Sequence, residues 1–113
     1  MDKTKEEKLK EGHKADNEKL RYDLLSVDAI EDLVRVLNFG ASKYADRNWE
    51  KGIKWGRVYS AAQRHLTAFW RGEDMDPETG IPHIAHAMCN CMFLLHYMKH
   101  NKEFDDRPLH GKK

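Results

Sequence analysis

The sequence predicts an all-α protein, a small helical bundle completed by oligomerisation. Three segments carry apolar residues at helical spacing, and no alternating, strand-like pattern runs for more than four residues. The chain has 113 residues, 35% of them charged, and a mean hydropathy of -0.86. Because a domain of this size buries only about two-thirds of the surface of its unfolded chain, a dimer or tetramer would supply the missing burial.

The charge balance and the cysteines narrow the class of protein. Lys and Arg number 20 against 19 Asp and Glu, a net charge of +1, so we expect no nucleic-acid partner. No run approaches the roughly 18 apolar residues of a membrane span, and no apolar N-terminal segment resembles a signal peptide. Cys89 and Cys91 would point about 200° apart on a helix. Reduced thiols and a cytoplasmic location therefore fit best.

The first elements follow from capping and spacing. Residues 1–19 alternate Lys and Glu with little apolar content, so we expect a flexible, solvated segment. A first helix begins near Ser26 or Asp28, either of which can cap it. Its apolar stripe runs through Phe39, and we interpret Gly40 as a stop or a point of close packing. The stripe residues are Ile30, Leu33, Val34 and Leu37.

Two further helices follow a loop over residues 46–56. The second helix is predicted over about 57–71, ended by Gly72, and an acidic loop comes next. The third is predicted over about 82–101, with Pro82 in its first turn. It is apolar on nearly every side, which is typical of a buried helix. Residues 105–113 read as a polar tail that wraps or frays.

The third helix also carries polar side chains along one line. His83, His86, Asn90 and Tyr97 stand at i, i+3, i+7 and i+14, and His65 lies inside the apolar stripe of the second helix. Burying such groups costs free energy unless they are hydrogen-bonded or bound to metal. We therefore expect the two stripes to face each other at a shared polar site. The alternative is a set of structural histidines, each bonded to a backbone carbonyl or a carboxylate.

The acidic loop supplies candidate metal ligands. Divalent cations such as Mg²⁺ prefer carboxylate oxygens together with substrate phosphates and water. Imidazole and carboxylate together also suit Mn²⁺, Co²⁺ or Zn²⁺. The alternative is a solvated turn whose acids favour the N-terminus of the third helix. The acids are Glu73, Asp74, Asp76 and Glu78.

Basic and aromatic residues are candidates for binding an anionic substrate. Arg64 adjoins His65 and Arg71 directly precedes the acidic loop, and further cations lie at Lys43, Arg47, Lys51 and Lys54. Trp49, Trp55 and Trp70 could stack on a base, although packing is the commoner role for a tryptophan.

Four ordered blocks carry a family resemblance: LRYDLL at 20–25, FGASKYADRNWEKG at 39–52, RHLTAFWRGEDMDPETG at 64–80 and PHIAHAMCN at 82–90. Together they resemble the phage-type dATP/dGTP diphosphohydrolases, a small family related to the all-α, MazG-like nucleotide pyrophosphohydrolases. The resemblance assigns residues 20–104 to one helical domain. It implies a MazG-like bundle that oligomerises, binds Mg²⁺ or Mn²⁺, and cleaves a purine dNTP to dNMP and pyrophosphate. If the chain is phage-encoded, its location is the host cytoplasm.

One departure from the wider MazG-like group concerns the ligands. That group carries an E-x-x-E pair and a later E-x-x-D pair on its helices. Here Glu31 is followed by Val34 three residues on, and the later position reads His83-x-x-His86. A ligand set rebuilt from histidines and the acidic loop is one interpretation, and a looser relationship to the wider group is the other.

These residues lead to a hypothesis of metal-assisted hydrolysis. We expect the metal ligands to be Glu73, Asp76 and Glu78, with Glu31 and His83. The catalytic candidates are His83, His86, Asp76 and Glu73, with His83 or His86 as the general base. Substrate-binding candidates are Lys43 and Arg64 on phosphates, Trp49 on the base, His65, and Asn90. The rivals are a non-enzymatic phage accessory protein that binds a nucleotide or host factor, and a triphosphohydrolase that would release tripolyphosphate.

Overall fold

A computed structural model describes residues 18–109, which form three α-helices. They are α1 (Val27–Lys43), α2 (Trp55–Trp70) and α3 (His83–His100), with short 3-10 helices at Tyr22–Leu24, Asn48–Lys51 and Lys102–Phe104. An isolated antiparallel bridge between Met75 and Pro82 is the sole β-structure of this part of the chain, which confirms the all-α prediction. None of its helices combines the length and apolar character needed to cross a membrane. The charged segment expected to be flexible lies almost wholly outside the described residues.

Helix α1 begins where its capping residue predicts and ends later than expected. The Ser26 hydroxyl accepts a hydrogen bond from the Ala29 amide at 3.2 Å, and Asp28 lies in the first turn. The helix then runs through Gly40 to Lys43. Within residues 18–109, no atom outside the adjoining residues and the backbone of the same helix lies within 4 Å of the position that a Gly40 Cβ would occupy. Both interpretations of Gly40, as a stop and as a point of close packing, were therefore wrong.

Helix α2 begins two residues before the predicted start because the far end of the chain caps it. The Asp106 carboxylate accepts a hydrogen bond from the Gly56 amide at 2.8 Å, and the Arg107 guanidinium lies 4.9 Å from the Trp55 ring centroid. The helix ends as predicted, since Gly72 follows it with a φ of 102° that suits glycine.

Helices α2 and α3 pair as a hairpin with its core at the end away from the connecting loop. Tyr97 is fully buried, and its hydroxyl donates a 2.6 Å hydrogen bond to the Trp49 carbonyl. Around it pack the side chains of Trp49, Trp55, Val58, Phe93, Leu94 and Phe104. Gly52, at a φ of 103°, leaves no room for a Cβ beside the Phe104 ring. This packing fixes the ends of the hairpin and the direction of α3.

Helix α3 is central, since it packs along α2 and also contacts α1. Its start and end, His83 and His100, lie within one residue of the prediction. The expectation that it is buried on every side was wrong. Ile84, Leu95 and Met98 are 42%, 63% and 50% exposed, because two neighbouring helices cannot surround a third.

We expect Gly40→Ala to stabilise the protein by about 1 kcal/mol, because glycine inside a helix costs that much relative to alanine. The Cβ would meet open space. Urea denaturation followed by circular dichroism measures the change. The same substitution at Gly72 is the control: its φ of 102° is strained for alanine, so Gly72→Ala should destabilise. A loss of stability in Gly40→Ala would contradict the description of α1.

Candidate active site

A groove of about 1040 Å³ separates α1 from the α2–α3 hairpin. Residues 36–41 and 43 of α1, with Tyr44 directly after it, form one wall, and both helices of the hairpin form the other. The 3-10 helix at Asn48–Lys51 contributes Asn48 and Trp49, and the acidic loop contributes Asp76, Glu78 and Thr79. The groove is large enough for a drug-sized ligand, since such sites typically measure about 300–1,000 Å³.

The groove collects most of the residues that the sequence singles out. Of the predicted site residues, those that line it are Lys43, Trp49, Arg64, His65, Asp76, Glu78, His86 and Asn90. Glu31, Glu73 and His83 are not among its lining residues. Glu31 is an exposed residue of α1, and Glu73 is paired with His83. The chemical roles of all these residues stay predictions.

His65 lies between the two histidines of α3. Its Nδ1 is 2.9 Å from the Nδ1 of His83, and its ring stacks on His86 with centroids 4.5 Å apart. The two helical stripes therefore face each other, as their spacing predicts. Tyr97 belongs to the same stripe but lies at the other end of the hairpin, where it is part of the hydrophobic core.

A carboxylate fixes the orientation of His83. The His83 Nε2 lies 2.7 Å from Glu73 Oε1; because a carboxylate only accepts, Nε2 donates. When His65 Nδ1 carries the shared proton, His83 Nδ1 accepts the hydrogen bond between the two atoms. This assignment leaves His65 Nε2 with a lone pair that has no hydrogen-bond partner within residues 18–109.

Thr79 likewise fixes the orientation of the His86 ring. Its hydroxyl donates to Asp76 Oδ2 at 3.0 Å and lies 2.8 Å from His86 Nε2. The single hydroxyl proton goes to the carboxylate, so His86 Nε2 donates to Thr79 and His86 Nδ1 keeps its lone pair. Asp76 Oδ2 also lies 3.4 Å from His86 Nε2. Sequence reasoning missed Thr79, although its position three residues after Asp76 in a Pro- and Gly-containing turn was a signal.

The backbone of the acidic loop holds this arrangement in place. The Asp76 amide donates to the Ile81 carbonyl at 2.9 Å, and the Gly80 amide donates back to the Asp76 carbonyl at 2.7 Å. The His83 amide donates to the Asp74 carbonyl at 2.9 Å. Gly80 has a φ of 71°, which glycine adopts without strain. The loop therefore places its carboxylates beside the start of α3.

Burial sets the charge of the groove histidines. It lowers the pKa of His86, and the nearby Asp76 carboxylate opposes this only in part. Burial also lowers the pKa of His65, helped by the adjacent His86. For Asp76, burial raises the pKa, but hydrogen bonds from Thr79 and the Glu78 amide outweigh it and hold the pKa below its ordinary value. At neutral pH the site therefore combines neutral imidazoles with an ionised carboxylate.

Basic residues lie on both walls of the groove. Lys43 extends from α1 to within 4.0 Å of Glu78 Oε1, and Arg64 of α2 donates to the Ser60 hydroxyl at 3.0 Å. Within the described part of the chain neither is paired with a buried carboxylate, so both are available to an anion.

The aromatic residues of the groove differ in how much of each ring is exposed. Trp49 stacks on Phe93 with centroids 4.7 Å apart and meets His96 edge-on, so packing occupies much of its ring. Tyr44 is 67% exposed and also lines the groove. The sequence carries no signal for Tyr44 beyond its neighbour Lys43.

The carboxylates and histidines of the groove could hold a metal ion only together with ligands from outside the protein. Across residues 18–109, no three His, Cys, Asp or Glu side chains come together in a group that could hold a metal by themselves. Mg²⁺ and Mn²⁺ complexes of nucleotides need only one or two protein carboxylates, because phosphates and water fill the other positions. Asp76 and Glu78 line the groove and fit that requirement.

Fold and site together define a small all-α domain with a groove that combines cations, carboxylates and neutral histidines. A family profile described as "dATP/dGTP diphosphohydrolase, N-terminal" matches residues 9–107. The chain is 35% identical over 96 residues to a "dATP/dGTP diphosphohydrolase" of Salmonella phage PMBT28. It belongs to the dATP/dGTP diphosphohydrolase N-terminal family. The match covers 85% of this chain and 33% of the relative. No solved structure matches this chain.

We expect the metal-free protein to lose stability as the pH falls below 6.5. A histidine whose folded-state pKa is lowered stays neutral while the unfolded chain takes up protons, so stability is full above 6.5 and declines below it. Asp76 adds a further loss only below its ordinary pKa of 3.8. Thermal denaturation between pH 8 and 5 measures the effect.

Matched histidine variants test the assignment. His86→Gln should flatten the pH dependence, whereas His100→Gln, at an exposed histidine, should leave it as in the wild type. An NMR titration in which His65 and His86 both protonate at or above pH 6.5 would contradict the burial-based assignment.

Proposed function

We propose that the groove binds a purine deoxynucleoside triphosphate and hydrolyses it to the monophosphate and pyrophosphate. The observation that carries the proposal is the grouping in one groove of cations, carboxylates and histidines with unprotonated ring nitrogens. Family membership supports the substrate class. Since the chain spans a third of the relative's length, the activity of that protein is carried over only as a proposal.

The triphosphate would lie between α1 and α2. Lys43 and Arg64 approach the groove from these two helices, so both can bind phosphate oxygens from opposite sides. Arginine offers a planar pair of donors and lysine a compact charge. Asn90, on α3, can orient a phosphate or the attacking water. Tyr44 joins Trp49 as a candidate for the base, because its ring is more exposed.

Asp76 and Glu78 are the proposed ligands of one Mg²⁺ or Mn²⁺ that enters with the nucleotide, with Co²⁺ as a possible substitute. When bound, the cation would neutralise charge on the triphosphate and lower the pKa of a coordinated water. Asp76 is held ionised and in position by Thr79. Glu78 is 71% exposed at its side chain, so it is free to turn toward a ligand.

His86 is the proposed general base. Its Nε2–H is committed to Thr79, and its Nδ1 can take a proton from water. The water oxygen forms a bond to the α-phosphorus as the bond from that phosphorus to the α,β-bridging oxygen breaks, and pyrophosphate leaves. Buried neutral histidine suits this work at neutral pH.

His83 and Glu73 act as positioning residues in this scheme. They are hydrogen-bonded to each other at 2.7 Å and do not line the groove. His83 instead holds His65 through the contact between their Nδ1 atoms. This role differs from the hypothesis that His83 and Glu73 bind metal. Here they would orient the ring of His65, which lines the groove.

A nucleotide assay tests the function. The purified chain is incubated with dATP, dGTP, dCTP or dTTP and Mg²⁺ or Mn²⁺, and pyrophosphate, tripolyphosphate and dNMP are quantified. Purine-selective release of pyrophosphate and dNMP is expected. Tripolyphosphate would indicate the triphosphohydrolase, and binding without turnover the accessory protein.

Two carboxylates of the same loop give a matched pair of variants. Asp76→Asn should lower turnover by about 100-fold or more, because it removes the negative charge of a proposed metal ligand and replaces one of its two oxygens by an amide nitrogen. Asp74→Asn changes an exposed side chain outside the groove lining and should keep wild-type turnover. Circular dichroism checks that both fold. Equal activity in the two variants would refute the role of Asp76.

A further inference from the structure

The C-terminal end of α3 carries a second group of histidines, separate from those of the groove. His96 and His100 stand at i and i+4, and their ring centroids are 4.4 Å apart. His96 lies ten residues after His86, which is about 15 Å along a helix, and neither His96 nor His100 lines the groove. Residues at i and i+4 share one face of a helix, and helical metal sites present a pair of imidazoles with this spacing.

The ring nitrogens of this pair are not used by the fold. His96 is half-buried and His100 is exposed. Within residues 18–109, no hydrogen bond or ion pair links either imidazole to another group. The groove histidines differ, since His83 contacts a carboxylate and His86 a hydroxyl. The lone pairs of His96 and His100 are therefore available to a cation.

The spacing of the two rings suits a shared cation. Two imidazole nitrogens, each about 2.0–2.1 Å from one cation and at a right angle to each other, set the ring centroids about 4.5 Å apart. The observed separation is 4.4 Å, with the ring planes inclined by 39°. Because the His100 side chain is exposed, its ring can turn a nitrogen toward the cation without disturbing the core.

We propose that His96 and His100 bind one Cu²⁺, Ni²⁺ or Zn²⁺ ion, at a site distinct from that of the Mg²⁺ or Mn²⁺ in the groove. Water would fill the remaining positions, because no third His, Cys, Asp or Glu of residues 18–109 joins the pair in a metal-binding group. The site is thus an open one, to which a further ligand from solution can be added.

The surrounding charges select the kind of cation. Lys99 and Lys102 lie on either side of His100 in the sequence, and the next acid is the exposed Glu103. The cation must therefore be held by bonds to imidazole and not by attraction to carboxylates. Cu²⁺, Ni²⁺ and Zn²⁺ bind imidazole well, and Cu²⁺ binds most tightly of the three. Mg²⁺ requires oxygen ligands and would not bind here.

A bound cation would join one turn of α3 beside the hydrophobic core. Tyr97, which lies between the two histidines in the sequence, is fully buried. The Trp49 ring meets His96 edge-on, with centroids 4.8 Å apart. A cation that binds this pair only in the folded chain raises the stability of the fold. Since Cu²⁺ quenches the fluorescence of a nearby indole, Trp49 reports its binding.

Metal titration of the full chain tests the site. With excess Mg²⁺ present, Cu²⁺ should quench the tryptophan emission and Zn²⁺ should raise the Tm. His100→Gln should weaken Cu²⁺ binding by about 100-fold, because a second ligand on the same chain adds that much affinity, and should abolish the Zn²⁺-dependent rise in Tm. His96→Gln repeats the test if His100→Gln does not fold by circular dichroism.

Two sets of variants show which histidines bind the cation. His86→Gln removes a groove histidine, and the double variant His13→Gln/His110→Gln removes the two histidines outside the described residues. Both should bind Cu²⁺ as the wild type does. Wild-type affinity in His100→Gln, or loss of binding in either control, would overturn the proposal. The nucleotide assay has no part in this test, so the two proposals can fail separately.

Discussion

The burial of His83 and His86, with the half-buried His65 between them, is the constraint on which the site depends. An imidazole removed from water needs a partner for each N–H. His65 and His83 contact each other through their Nδ1 atoms, but the Nε2 atoms of His83 and His86 find their partners outside the two helices. The loop that joins the helices supplies the partners, Glu73 for His83 and Thr79 for His86. The loop conformation, the ring orientations and the ionised state of Asp76 are therefore consequences of one requirement.

The features that follow from local spacing could be read from the sequence. The Ser26 cap, the three helices, the Gly72 stop and the facing of His65 toward α3 depend on residues within a few turns of each other. Lys43, Arg64, Asp76, His86 and Asn90 were also found by residue type, and they do line the groove. Residue type and helical position are sufficient for such side chains because each lies on, or next to, a predicted helix.

The features that depend on turns and on contacts between distant residues could not be predicted from local spacing. Thr79 matters because a reverse turn brings its hydroxyl to both Asp76 and His86. The early start of α2 depends on Asp106, fifty residues away. His83 and Glu73 are predicted as ligands from the sequence, and the structure pairs them with each other at 2.7 Å, away from the groove lining. The exposure of one side of α3 likewise reflects how many helices surround it, which periodicity does not report.

The tie between Asp106 and Gly56 has a consequence for the order of folding. The α2–α3 hairpin is joined by a short loop and can form through local contacts, which close quickly. The Asp106–Gly56 and Tyr97–Trp49 hydrogen bonds span 50 and 48 residues, so the chain must close long loops before either forms. The first turn of α2 therefore completes after the hairpin, and its Gly56 amide should exchange with solvent through a smaller opening than amides at the middle of α3.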